Sequence, residues 1–284
     1  MNTGRRPVAR SEQQPFRAGG QQTAVDTLDV VPTYAFLDAP TLAFAHRGGH
    51  EVAPENTLRA FRAAVDLGYR HLETDVHVTA DGSLVAFHDD RLDRVTDSTG
   101  PIVARTTAEL RDVHIDGTDP IPTLDELLED FPDVRWNLDP KSDAALVALA
   151  AVIRRHGAIE RVNIGSFSDT RLRRMRALLG TGLCTAAGPR EVAGLVVAAH
   201  TRGVRHRRGR PAYGCVQVPV SYGGVRIVTP AFLDAAHARG AQVHVWTIDD
   251  PGQMHHLLDL GVDGIMTDRP SVLRQVLRER AAWP

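Results

Sequence analysis

A histidine, an arginine and two glycines follow directly after a short apolar run, as His46-Arg47-Gly48-Gly49. An imidazole can transfer a proton near neutral pH, and a guanidinium matches the geometry of a phosphate. Glycine lets the backbone turn sharply and approach a ligand closely. The cluster therefore predicts proton transfer beside a bound phosphate group.

Three carboxylates and a lysine occur at the ends of two further apolar runs. Glu73 and Asp75 are two residues apart, as are Asp139 and Lys141, so the period of a strand places each pair on one face. Like charges this close need a cation, and oxygen ligands without cysteine favour Mg2+ or Ca2+. Lys141 could then hold a phosphate oxygen. The alternatives are an acidic pair on a solvated strand edge and an ordinary ion pair.

The segments around these residues alternate between strand and helix patterns, which indicates parallel strands joined by crossover helices. The pattern predicts an α/β fold, a (β/α)8 TIM barrel, with the working groups at the C-terminal ends of the strands. The predicted strands span residues 42–46, 71–76, 134–139, 162–166, 182–186, 215–218, 242–247 and 263–267.

A ninth strand-like run, residues 84–88, follows Asp81-Gly82, a dipeptide typical of two-residue hairpin loops. We expect this run to pair antiparallel with an extension of the second strand. A two-residue loop places His88 opposite Asp75 and at the barrel mouth, and a bulge would shift that register by one residue.

The order of these residues resembles the glycerophosphodiester phosphodiesterase family. The matching segments, which cover roughly residues 42–272, are His46-Arg47-Gly48, Pro54-Glu55-Asn56-Thr57, Glu73 with Asp75, His88-Asp89, Ile121-Pro122-Thr123-Leu124, Asp139 with Lys141, Val245-Trp246-Thr247 and Asp263-Gly264-Ile265-Met266-Thr267-Asp268. The resemblance implies metal-dependent hydrolysis of a small glycerophosphodiester to sn-glycerol 3-phosphate and an alcohol. It also implies that residues 89–120 form a small inserted cap, which would limit access by bulky phospholipids.

The same resemblance implies a role for each site residue. His46 and His88 would be the general acid and base, in an order that the sequence leaves open. One divalent cation, Mg2+ or Ca2+ with Mn2+ as a further choice, would be bound by three carboxylates, namely Glu73, Asp75 and Asp139. The substrate would be bound by Arg47, Lys141 and Trp246, although Trp246 could instead be a core residue. The family places glutamate where this chain has Asp139, which leaves the metal preference open.

Two other functions fit the same residues. One is a lysophospholipase D or sphingomyelinase D-like phosphodiesterase that acts on acylated lipids. The other is a barrel that binds phosphodiesters without cleaving them. His46-Arg47-Gly48-Gly49 with Pro54-Glu55-Asn56-Thr57 favours the glycerophosphodiester phosphodiesterase family over the sphingomyelinase D-like one. The intact histidines and carboxylates argue against a barrel that does not cleave its ligand.

The composition narrows the class of protein and its partners. The 284 residues carry 33 basic and 35 acidic side chains, so the overall charge does not favour nucleic acid or an anionic membrane. Two cysteines and no apolar leader predict a cytoplasmic protein without stable membrane insertion. Residues 1–38 are predicted to be a flexible tail, residues 39–284 the barrel domain, and the basic run 202–210 a solvated loop. The oligomeric state is open.

Overall fold

The computed structural model of the chain describes residues 1–4, 34–201 and 211–283. The predicted basic loop and most of the predicted tail lie outside the described residues.

Within this part of the chain the secondary structure alternates as the sequence predicts. The strands are β1 Leu42–His46, β2 His71–Val78, β3 Leu84–Ala86, β4 His114–Ile115, β5 Asp119–Pro120, β6 Arg135–Pro140, β7 Val162–Ile164, β8 Cys184–Thr185, β9 Cys215–Val218, β10 Ser221–Tyr222, β11 Val225–Arg226, β12 Gln242–Val245 and β13 Gly264–Thr267. The α-helices are α1 Leu58–Asp66, α2 Thr107–Leu110, α3 Leu124–Asp130, α4 Ala145–Arg155, α5 Asp169–Leu179, α6 Pro189–His200, α7 Pro230–His237, α8 Pro251–Asp259 and α9 Pro270–Glu279. Short 3-10 helices span Ala35–Leu37, Leu92–Arg94, Ile102–Ala104 and Ile159–Arg161.

The large sheet is a nearly closed parallel barrel, which confirms the predicted fold. Its strand order is β8-β7-β6-β2-β1-β13-β12-β9, and a parallel bridge between Ala186 and Cys215 joins the two ends. The helices cover the outside, where the main apolar core lies between them and the strands. Each predicted strand is present, although β7, β8 and β12 are shorter than expected.

Capping side chains fix the points at which α1 and α3 begin. Thr57 caps α1 by accepting a hydrogen bond from the Ala60 amide, and Thr123 forms a capping box with Glu126 at the start of α3. These side chains satisfy amide groups that have no partner inside the helix. The loops that lead into α1 and α3 are therefore fixed at the point where each helix begins.

The antiparallel hairpin is present, but its predicted register is wrong by one residue. Val76 pairs with Ala86, and the Phe87 amide donates to the Asp75 carbonyl at 3.1 Å, so Phe87 and not His88 lies opposite Asp75. The cause is the loop, which contains three residues, 80–82, because Gly82 adopts a positive φ of 83°. A left-handed third residue is the usual way to close such a loop.

The segment after the hairpin forms the predicted insert, and we call residues 89–120 the cap. It contains two 3-10 helices, α2 and the small β4–β5 ribbon. A separate apolar cluster fills it, formed by Val85, Phe87, Leu92, Ile102, Leu110, Val113, Ile115 and Ile121. The cap is therefore a packed unit beside the end of β2.

The predicted boundary of the tail at residue 38 is too late. Phe36, in the first 3-10 helix, is fully buried, and its ring lies 5.1 Å from that of His71 and 6.1 Å from that of Phe44. His71 Nε2 also lies 2.9 Å from the Phe36 carbonyl oxygen. This segment covers the amino-terminal end of the barrel, which we call the floor, so the domain begins before residue 39.

Among the described residues, no helix combines the length and the apolar character needed to cross a bilayer.

Candidate active site

The turn after β1 determines where the first histidine and arginine lie. Arg47, Gly48 and Gly49 all have positive φ, at 52°, 82° and 79°. A Cβ on Gly48 would lie 2.9 Å from the Phe61 backbone nitrogen, so only glycine fits against the start of α1. The Arg47 carbonyl accepts from the Asn56 amide at 2.8 Å, which closes the loop.

His46 is held by a carboxylate that follows β13. Its Nδ1 donates to Asp268 Oδ1 at 2.7 Å, and its Nε2 lies 3.8 Å from Glu73 Oε2. Burial lowers the pKa of His46, but the Glu73 and Asp268 carboxylates more than offset this, and the net result is a raised pKa. With Nδ1 donated to Asp268, Nε2 is the nitrogen that can exchange a proton with a substrate.

The carboxylates of β2 and β6 meet around an ammonium group. Lys141 Nζ lies 2.5 Å from Asp75 Oδ1 and 2.9 Å from Asp139 Oδ2, and Asp75 and Asp139 are direct neighbours in the strand register. Burial opposes the charge on Lys141, but the two carboxylates outweigh it and raise the pKa of the ammonium. Burial also raises the pKa of Asp139.

Glu73 lies one step deeper in the barrel than Asp75. Its Oε2 accepts from the Arg47 amide at 3.2 Å. Burial and the charge of Asp75 raise the pKa of Glu73 to about 7. Two buried acids on one strand therefore repel each other, and a cation beside them would relieve that repulsion.

Arg47 connects this acidic cluster to the loop before α1. Its Nη1 donates to Glu55 Oε1 at 3.0 Å. Its Nε lies 3.2 Å from Asp75 Oδ2 as an ion pair, but the two atoms are not aligned as a hydrogen bond, so both lack a hydrogen-bond partner. Asp75 Oδ2 is thus a buried oxygen with unused capacity to bind a donor or a cation.

No group of three histidine, cysteine or acidic side chains within residues 1–4, 34–201 and 211–283 is already arranged as a metal site. Lys141 is part of the reason, because its ammonium group lies between the carboxylates of Asp75 and Asp139 and keeps them apart from a shared metal position. The donor set nevertheless fits a hard divalent cation, since it offers oxygen atoms, excess negative charge and one unpartnered buried oxygen.

His88 lies at the entrance to the cap. Its Nδ1 donates to Asp89 Oδ1 at 2.6 Å, and its backbone carbonyl oxygen lies 3.2 Å from His77 Nε2. His88 makes no direct contact with the carboxylates of β2 among the described hydrogen bonds and ion pairs. A chain of charged side chains joins it to Arg47 instead, through Asp89, Arg94 and Glu55.

Trp246 follows β12, and its ring packs edge-on against Phe167, with 5.7 Å between the ring centroids. Phe167 follows β7 and is 70% exposed. Trp246 also packs against the apolar cluster inside the barrel. It therefore lies between the core and the mouth, and a contact with substrate stays a prediction.

The structure brings together His46, Arg47, Glu73, Asp75, Asp139 and Lys141, and it links His88 to them indirectly. Sequence reasoning did not assign roles to Asp268, Asp89, Glu55 and Arg94. Asp268 and Asp89 could have been found, because each directly follows a strand or a candidate catalytic histidine. Arg94 has no such signal, since its contacts depend on the path of the cap.

The fold is a parallel barrel with acidic side chains, basic side chains and histidines at its strand ends. Together with the relatives described next, this arrangement identifies the protein as a phosphoric diester hydrolase. The chain belongs to the glycerophosphoryl diester phosphodiesterase family, which matches residues 46–272. It is 41% identical over 256 residues to a probable glycerophosphodiester phosphodiesterase 2 of Mycobacterium tuberculosis, covering 89% of this chain and 97% of that one.

Two other relatives differ in what their names state. Human lysophospholipase D is 26% identical over 299 residues, covering 89% of this chain and 95% of that one. An Oleispira antarctica phosphodiesterase, solved in complex with the product sn-glycerol-3-phosphate, superposes with a TM-score of 0.72 at 25% identity, covering 86% of this chain and 98% of that one.

Proposed function

We propose that this enzyme hydrolyses small glycerophosphodiesters to sn-glycerol 3-phosphate and an alcohol, with His46 and His88 as general acid and base. The observation that carries the proposal is that each imidazole donates Nδ1 to its own carboxylate, at 2.7 Å to Asp268 and 2.6 Å to Asp89. This leaves Nε2 of both rings to exchange protons with a substrate. One ring activates the nucleophile and the other protonates the leaving alcohol.

Arg47 and Lys141 supply the positive charge that a phosphodiester needs. A phosphodiester repels nucleophiles because of its negative charge, and that charge grows on the phosphoryl oxygens as the bond breaks. Both side chains are partly buried, with 16% and 20% of their surface exposed, so their charges are less screened than those of surface residues. We propose that both contact the phosphoryl oxygens when substrate is bound.

We further propose that Glu73, Asp75 and Asp139 hold one divalent cation, Mg2+, Ca2+ or Mn2+. When bound, the cation would supply further positive charge beside the phosphoryl group. The unpartnered Asp75 Oδ2 and the raised pKa of Glu73 support this assignment. Lys141 lies between two of these three carboxylates, so its ammonium group would have to give way for the cation and could then hold a phosphoryl oxygen.

The product bound to the Oleispira antarctica relative supports sn-glycerol 3-phosphate as one product here. We propose that the cap, which is packed beside the end of β2, limits access by bulky phospholipids. We propose that Trp246 contacts the glycerol or the leaving group. The cytoplasmic location stays a prediction.

Cleavage of acylated lysophospholipids is the second candidate. Two observations favour it: a relative named lysophospholipase D matches 89% of this chain, and the exposed ring of Phe167 lies beside Trp246. An acyl chain would find apolar surface there.

One assay separates these candidates. The enzyme is incubated with glycerophosphocholine or lysophosphatidylcholine, with and without a chelator, and the products glycerol 3-phosphate, choline and lysophosphatidate are each quantified. We expect chelator-sensitive glycerol 3-phosphate from glycerophosphocholine. Turnover of lysophosphatidylcholine alone would favour the second candidate, and no turnover of either would contradict the proposal.

Variants test the residue roles. We expect His46→Ala and His88→Ala to lose nearly all turnover but still bind the cation, whereas Glu73→Ala loses the cation itself. Calorimetric titration with each cation measures binding apart from activity. His255→Ala, at a half-exposed position on α8 that pairs with Glu279 outside the site, is the matched control and should be fully active. Full activity in either site-histidine variant would remove the acid-base assignment.

A further inference from the structure

The guanidinium of Arg94 lies between two carboxylates from different parts of the chain. Its Nε donates to Asp89 Oδ2 at 2.6 Å, and Nη2 donates to Asp89 Oδ1 at 3.1 Å. Nη2 also donates to Glu55 Oε1 at 2.7 Å, and Nη1 lies 3.4 Å from Glu55 Oε2. Arg94 belongs to the cap, while Glu55 belongs to the loop before α1, so this one side chain joins the two.

Each of these carboxylates contacts a residue of the proposed machinery. Asp89 accepts from His88 Nδ1 at 2.6 Å. Glu55 Oε1 accepts from Arg47 Nη1 at 3.0 Å as well as from Arg94. The contacts therefore run without a break from His88 to Arg47.

For holding Asp89 in one orientation, the planar geometry of the Arg94 guanidinium matters more than its charge. A carboxylate bound only by an imidazole can rotate about its terminal bond, and the ring then loses its fixed orientation. Arg94 binds both oxygens of Asp89, which removes that freedom, and a planar guanidinium does this in a way that an ammonium cannot.

Both carboxylates stay ionised in the physiological range. The hydrogen bond from Arg94 is the main cause that lowers the pKa of Asp89 to about 2. Burial raises the pKa of Glu55, but hydrogen bonds and charge from Arg94 and Arg47 outweigh it, and the net result is a lowered pKa. An ionised Asp89 accepts the Nδ1 proton of His88 and so selects one tautomer of the ring.

We propose, resting on the function proposed above, that Arg94 is a positioning residue that sets the tautomer and orientation of His88 through Asp89 and the orientation of Arg47 through Glu55. It contacts no substrate. The cap then takes part in the reaction, since it supplies the group that aligns residues of the barrel.

The test compares Arg94→Ala and Arg94→Lys with Arg91→Ala in the full chain. Arg91 lies three positions earlier, is 60% exposed, and its side chain pairs only with the exposed Asp93 among the described hydrogen bonds and ion pairs. We expect kcat for glycerophosphocholine to fall by about 10- to 100-fold in Arg94→Ala, as for a catalytic group displaced by about 1 Å. Arg94→Lys should keep the fold and recover only part of kcat, and Arg91→Ala should match the wild type.

A second readout does not depend on activity. In protein carrying nitrogen-15 in its histidines, NMR reports the tautomer of His88, assigned by comparison with His88→Gln. We expect an Nδ1-protonated ring in the wild type and in Arg91→Ala, and a mixture of tautomers in Arg94→Ala. The same ring state in all variants, with unchanged kcat, would overturn the proposal.

A double-mutant cycle tests the route through Asp89. If Arg94 acts mainly through that carboxylate, Arg94→Ala should add little to the loss of kcat in Asp89→Asn. Fully additive losses would remove Asp89 from the route. A wild-type enzyme without phosphodiesterase activity would refute the proposed function, but the NMR comparison would still decide whether Arg94 positions His88.

Discussion

Replacement of Gly48 by alanine tests whether the turn after β1 depends on the absence of a side chain. Gly48 and Gly82 have nearly the same backbone angle, with φ of 82° and 83°. A Cβ on Gly48 would meet Ala60 Cβ and the Phe61 nitrogen at 2.9 Å, whereas a Cβ on Gly82 would meet nothing within 4 Å. The two glycines thus share the backbone strain and differ only in the steric contact, which makes Gly82→Ala the matched control.

The expected effects follow from these two terms. An alanine in the left-handed region costs about 1–2 kcal/mol, and this term is common to both variants. Forcing a methyl group against fixed backbone adds about 1–3 kcal/mol, and this term applies to Gly48→Ala alone. Chemical denaturation should therefore show a lower free energy of unfolding for Gly48→Ala than for Gly82→Ala, by about 1–3 kcal/mol.

Activity provides the second half of the same test. Relief of the clash moves the backbone that carries His46 and Arg47, so we expect kcat/KM of folded Gly48→Ala to fall by about 100-fold. Gly82→Ala should keep wild-type kcat/KM. Equal losses of stability in the two variants would refute the steric reasoning, and wild-type activity in Gly48→Ala would show that the turn does not position the site.

Three further predictions concern the mouth of the barrel. Asp268→Asn should lower kcat by about 100-fold or more with little change in KM, measured by steady-state kinetics, because the neutral amide no longer fixes the Nδ1 proton of His46 or stabilises its charged form. Burial raises the pKa of Asp268, but the hydrogen bond from His46 together with the charges of His46, His50 and Arg47 outweighs it, and the net result is a lowered pKa. The stabilising contribution of Asp268 is therefore present above the ordinary aspartate pKa and is lost as the pH falls through the lowered value. Wild type and Asp268→Asn should consequently converge in stability below about pH 4, and a constant gap would contradict this. Phe167→Ala should raise KM for glycerophosphocholine by about 2- to 10-fold, from the loss of an aromatic pair, while the melting temperature changes little because Phe167 is 70% exposed; an unchanged KM would place the Trp246 ring outside the substrate site.

Much of the barrel could be predicted from local pattern alone. Each parallel strand is an apolar run whose position does not depend on distant contacts, and the polar residues follow these runs directly. His46, Glu73, Asp75, Asp139 and Lys141 were therefore placed at one end of the barrel correctly. Their separate roles stay predictions, because role depends on a bound substrate and cation.

The errors occur where a single conformation or a distant contact decides the outcome. The hairpin register changed because Gly82 is left-handed, and the loop is further held by the Ala80 amide, which donates to the Arg105 carbonyl in the cap. No pattern near Asp81 contains that contact. Likewise, Phe36 is one aromatic residue in a segment without periodicity, and only its burial against β1 and β2 shows that it belongs to the domain.

The covered floor of the barrel has a consequence for the binding of substrate and the release of products. Phe36 seals the amino-terminal end, and the Gln242 side-chain amide donates to the carbonyls of Leu37 and Ala39 beside it. The opposite end, which carries His46 and Lys141, is therefore the end at which we expect substrate to bind and products to leave. We therefore expect residues at the rim of the mouth to influence both the binding of substrate and the release of products.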